Sequence, residues 1–98
     1  MSSANLEFLA TLEGIIRDRQ AAPADASYTA KLFAAGTQRI AQKVGEEAVE
    51  VALASSQGDS REITSETADL LYHLLVLLAN QDIRLADVIE ELERRHSQ

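Results

Sequence analysis

Two acidic clusters carry the chemistry of this chain. Glu46-Glu47-Ala48-Val49-Glu50 and Glu66-Thr67-Ala68-Asp69 read as EExxE and ExxD, with fifteen residues between Glu50 and Glu66. Carboxylates three and four apart share one face of a helix. Two such helices laid face to face would gather up to five carboxylates around one small volume. Bare, that volume repels itself. Filled with a hard divalent cation such as Mg²⁺, it becomes a site for handling phosphate.

The elements that must position these groups follow from periodicity. Leu6, Leu9, Leu12 and Ile16 recur at helical spacing and predict a helix over about 6–20, with Asn5 as its cap. The stretch from Gln20 to Ala26, with the single Pro at position 23, is the one clear linker. Ser27 suits the cap of a short helix over 28–35, stopped by Gly36. Thr37 is expected to cap a long helix over 38–57 that ends at Gly58, and Ser60 to cap another over 61–80. A last helix spans about 85–96; Arg84 is a poor cap for it, and Asp82 a better but earlier one.

At about 100° per residue, Arg39, Lys43, Glu46, Glu47 and Glu50 share one arc of the 38–57 helix. Ile40, Val44, Ala48 and Val51 fill the next arc, and Val49 and Leu53 lie opposite. In the 61–80 helix, Glu66, Asp69, His73 and Asn80 form one stripe within a nearly continuous apolar surround. A surface helix of a monomer needs one apolar stripe. The surplus predicts a homo-oligomer, most simply a two-fold dimer.

Bulk composition agrees with an all-α single domain over 1–98, a bundle of four to five helices. Aromatic residues make up only 4% against 46% hydrophobic, so the core must be Leu, Ile, Val and Ala. A net charge of −7 argues against general nucleic-acid or anionic-membrane binding. The absence of Cys excludes disulfides, thiolate nucleophiles and Cys-based zinc sites. Met1-Ser2-Ser3-Ala4-Asn5 has no basic or long apolar start, so no leader is expected. The apolar run from Leu70 to Ala79 falls short of the ~20 residues a spanning helix needs. A cytoplasmic protein is expected.

Glu66 and Asp69 rise from an apolar helix, so burial there would demand a metal or a basic partner such as Lys31, Arg39 or Lys43. A di-iron bundle would want Glu-x-x-His on each of two helices. The chain has only Glu93-x-x-His96, in its polar tail. His73 is readable either as a substrate contact or as a satisfied core histidine.

Beyond the acids, Ser27-Tyr28-Thr29-Ala30-Lys31-Leu32, Gly36, Arg39-Ile40, Gln42-Lys43-Val44-Gly45 leading into Glu46, and Asp69-Leu70-Leu71-Tyr72-His73 running on through Leu78 resemble phosphoribosyl-ATP pyrophosphatases. Val88-Ile89 and Leu92 with Arg94 extend the resemblance over nearly the whole chain. The acids alone would suggest only the wider superfamily of all-α, MazG-like nucleotide pyrophosphatases. The resemblance implies a homodimeric MazG-like bundle that hydrolyses phosphoribosyl-ATP to phosphoribosyl-AMP and pyrophosphate with Mg²⁺, the second step of histidine biosynthesis. It implies metal ligands among Glu46 or Glu47, Glu50, Glu66 and Asp69. Glu47 and Glu50 are favoured as direct ligands, and Glu46 is a further ligand or the base that orients water. Lys31, Arg39, Lys43 and His73 are the implied substrate-binding residues. Some relatives carry a fused, Cys-liganded cyclohydrolase; this chain resembles the stand-alone form. Arg84 departs from the small capping residue of many relatives. Two alternatives are a house-cleaning pyrophosphatase for free nucleoside triphosphates and a non-catalytic helical dimerisation module.

Overall fold

The structure, a computed structural model, describes residues 4–97. Met1, Ser2 and Ser3, on which the expectation of no leader partly rests, lie outside the described residues. Five α-helices follow in order: α1 (Phe8–Arg19), α2 (Tyr28–Ala35), α3 (Thr37–Gln57), α4 (Ser60–Asn80) and α5 (Leu85–His96). A 3₁₀ turn, Ala24–Ala26, carries the linker into α2. Among the described residues there is no strand, as expected of an all-α chain. No helix among them is long and apolar enough to cross a membrane.

The helix ends show which caps win. Ser27 caps α2 through its hydroxyl, which accepts from the Ala30 N–H at 3.0 Å. Gly36 (φ +96°) closes α2 and opens α3 in a single residue, so Thr37 becomes the first helical residue rather than the cap. Only a residue without Cβ takes that backbone conformation cheaply. Asp59, not Ser60, caps α4, accepting from Arg61 N–H at 3.0 Å and Glu62 N–H at 3.4 Å. A carboxylate there also complements the positive end of the helix dipole. Helix α1 starts two residues later than its periodicity predicts, because Asn5 Oδ1 accepts from Glu7 N–H and holds a turn first. Arg84 is no liability: Asp87 Oδ2 accepts from its N–H at 3.1 Å.

Helices α3 and α4, joined through Gly58 and Asp59, form the most extensive helix pair. So short a connection between two long helices makes them antiparallel neighbours. Helices α1 and α2 cover the pair, and the core is Ile16, Leu32, Ile40, Leu75, Val76 and Ala79. Helix α5 stands apart, with no buried residue of its own. Its start is tied to α1: Glu13 Oε2 accepts from Leu85 N–H at 2.7 Å, and Arg17 reaches Ile83 O at 3.0 Å. The radius of gyration is 14.8 Å, above the ~13 Å of a compact domain this long. An apolar cavity of about 320 Å³ lies where α5 leaves α4 open, lined by Leu71, Leu74, Leu78, Val88 and Leu92.

Ile40 is wholly buried where α3 meets the core. Ile40→Ala should lower unfolding free energy by about 3 kcal/mol. Urea denaturation followed by helical circular dichroism checks this, and a loss under about 1 kcal/mol would contradict the packing.

Candidate active site

The α3–α4 hairpin sets which acids meet. At its open end Thr37 Oγ1 donates to Asn80 Oδ1 at 2.9 Å, fixing the register. Counting inward from there and outward from Gly58, Glu47 comes level with the turn carrying Glu66 and Asp69. One carboxylate oxygen from each of these three lies within 4.8 Å of the others. The expectation that EExxE and ExxD converge thus has a structural form, with three acids in the group rather than five. Glu46 and Glu50 are exposed and outside it.

Burial falls on the other helix from the one expected. Glu47 is 6% exposed. Glu66 is half-buried and Asp69 is exposed. Glu47 Oε1 lies 3.6 Å from Lys43 Nζ, and its buried Oε2 has no hydrogen-bond partner. Lys43 is shared, with Glu46 Oε1 at 3.7 Å. Gln42 Nε2 donates to Glu46 Oε2 at 3.0 Å and turns that carboxylate along the helix surface.

Of the three grouped carboxylates, only Glu47 has an ion pair among the described residues, with Lys43. The charge deficit, the unpartnered buried oxygen and the all-oxygen donor set fit a hard divalent cation. Lys31 and Arg39 are exposed and form no ion pair among the described residues.

His73 lies one helical turn beyond Asp69 and is buried. A carbonyl only accepts, so the contact of Nδ1 with Asp69 O at 2.8 Å makes Nδ1 the protonated nitrogen. Nε2 then accepts from the Tyr28 hydroxyl at 3.0 Å. Both ring nitrogens are thus used inside the chain, as a satisfied core histidine requires. Tyr72 packs edge-on against His73 and shares a short hydroxyl hydrogen bond with Thr29. Burial holds the Tyr72 phenol above its usual pKa of 10.0, which Thr29 only partly offsets. Sequence reasoning did not single out Tyr28, Tyr72 and Thr29 for the site. The available signal was a tyrosine directly after a serine cap, and another beside the one apolar-face histidine.

The fold and the carboxylate group define an all-α, MazG-like bundle with three acids gathered on a helical hairpin. A family profile described as phosphoribosyl-ATP pyrophosphohydrolase matches residues 9–96, and the chain belongs to that family. It is 54% identical over 92 residues to the histidine biosynthesis bifunctional protein HisIE of Photobacterium profundum, an alignment covering 94% of this chain and 44% of that protein. It is 57% identical over 89 residues to the HisIE of Shigella sonnei, covering 91% of this chain and 44% of the relative. Against the HisIE of Escherichia coli K12 the identity is 56% over 89 residues, with the same coverage of 91% and 44%. The chain thus spans under half the length of these bifunctional relatives.

If the three acids hold a cation, millimolar Mg²⁺ should raise the melting temperature by a few degrees. Asp69→Asn should lose most of that rise while keeping its helical content. Scanning calorimetry with Mg²⁺ and with a chelator measures both, and an equal rise in the variant would remove Asp69 from the cation site.

Proposed function

We propose that the chain hydrolyses phosphoribosyl-ATP to phosphoribosyl-AMP and pyrophosphate, with Mg²⁺ held by Glu47, Glu66 and Asp69. The observation that carries this reading is the grouping of those three acids around a buried Glu47 oxygen without a partner. Family membership supports the choice of substrate. A cytoplasmic setting is part of the same reading.

The ion would place positive charge against the triphosphate and lower the pKa of water in the site. The chain's own residues do the rest. Lys43, beside Glu47, and the exposed Arg39 on the same helix offset phosphate charge that this acidic protein would otherwise repel. Lys31 on α2 adds a third cation. Glu46 is the base: its carboxylate is held beside the group by Lys43 and Gln42, yet stays accessible to water. Glu50, one turn along α3 from Glu47, completes the ligand set by a change of rotamer. His73 contacts the substrate only indirectly, by orienting Tyr28. Water adds to phosphorus, the α–β anhydride bond breaks, and the proton passes to a carboxylate.

Pyrophosphate release from phosphoribosyl-ATP, ATP and dUTP, each with and without Mg²⁺, tests the reading. Release should need Mg²⁺ and strongly favour phosphoribosyl-ATP. Glu47→Gln and Asp69→Asn should each lower kcat by about 100-fold or more. A preference for ATP or dUTP would point to a house-cleaning pyrophosphatase, and no release from any substrate to a non-catalytic module.

The reading includes a homodimer. Leu71, Ile89 and Leu92 are open to solvent and line the apolar cavity under α5. Contiguous apolar surface of this kind marks an interaction face. Sedimentation at micromolar concentration should give twice the chain mass; a monomer would contradict this part of the proposal.

A further inference from the structure

Tyr28 is an aromatic residue that is both held in place and exposed, and His73 links it to the turn that carries Asp69. The residue as a whole is 52% exposed. Its hydroxyl is tethered to His73 Nε2 at 3.0 Å, and His73 is tethered in turn to the Asp69 carbonyl at 2.8 Å. One imidazole therefore connects the tyrosine to the backbone of the helical turn that presents Asp69. Tyr72 backs the ring, with centroids 6.2 Å apart and planes 29° from parallel. Tyr72 is itself held by Thr29, the residue after Tyr28. An exposed aromatic ring usually rotates freely and loses that freedom on binding. This one is already ordered.

The chemistry offered is a π-face and little else. Both His73 nitrogens are engaged, and the hydroxyls of Tyr72 and Thr29 satisfy each other. Such a surface suits a flat heteroaromatic ring, since base–aromatic stacking needs a face rather than free hydrogen-bonding groups. His73 links this ring to the turn that carries Asp69, so a nucleotide whose phosphates lie at Glu47, Glu66 and Asp69 would turn its base toward α2.

We propose that Tyr28 is the stacking platform for the adenine base of the nucleotide substrate, pre-set by His73 and Tyr72. This rests on the reading of the carboxylates as the phosphate site. It assigns the base end of that site to α2, an element that contributes none of the three grouped acids. His73 and Tyr72 act as positioning residues.

The test uses the full chain with Tyr28→Leu and Tyr28→Trp, and has two independent readouts. In turnover of phosphoribosyl-ATP, Tyr28→Leu should raise KM roughly 10- to 100-fold with kcat within about 3-fold, and Tyr28→Trp should stay within about 3-fold on both. In calorimetric binding without turnover, Tyr28→Leu should weaken AMP roughly 10-fold or more, and leave inorganic tripolyphosphate with Mg²⁺ unchanged. Tyr28→Trp should retain AMP binding. A KM for Tyr28→Leu within 2-fold of wild type would overturn the proposal. So would AMP binding that is absent in wild type, unchanged in Tyr28→Leu, or equally lost in the leucine and tryptophan variants. If wild type releases no pyrophosphate from phosphoribosyl-ATP, the proposed reaction fails, while the AMP arm still decides the platform.

Discussion

Like charges held at close range govern this molecule. Three carboxylates, each with one oxygen within 4.8 Å of the others, repel one another. One lysine offsets part of this from within α3. The rest of the structure must hold the acids against that force. It does so with the α3–α4 hairpin, whose ends are closed by the Gly58–Asp59 turn and by the Thr37–Asn80 hydrogen bond. Apolar burial of Ile40, Leu75 and Val76 supplies the opposing free energy. The helices that carry the chemistry are also the ones that make the core, so stability and site geometry are not separable.

The second level of organisation hangs from that hairpin. His73 converts the position of the Asp69 turn into the position of α2, through one ring and two hydrogen bonds. Helix α2 thereby joins the site without contributing an acid. At the far side, α1 lends Glu13 and Arg17 to the start of α5, which otherwise touches the bundle lightly. The bundle is thus tight around the carboxylates and loose at its last helix.

Much of this was legible in the sequence, for physical reasons. Helix bounds follow from apolar spacing and from glycines whose positive φ stops a helix, and Gly36 and Gly58 do so here. The convergence of EExxE with ExxD follows from two long helices joined by a short turn. What could not be read is what depends on competition or on distance. Asp59 outcompetes Ser60 as a cap because its charge complements the helix dipole as well as the orphan N–H groups. Glu47 rather than Glu66 is buried because pairing of the helices, not the polarity of either, decides which rim is covered. The Tyr28–His73 contact spans forty-five positions and leaves no local periodic trace.

The aromatic cluster has an optical consequence. The chain contains no tryptophan and two tyrosines. Both tyrosines lie against His73, beside the turn that carries Asp69. The tyrosine emission of the protein therefore comes from a single place, within one imidazole of a carboxylate-bearing turn. No tryptophan and no distant tyrosine dilutes it, so excitation in the tyrosine band makes the molecule its own label for whatever enters that corner of the bundle.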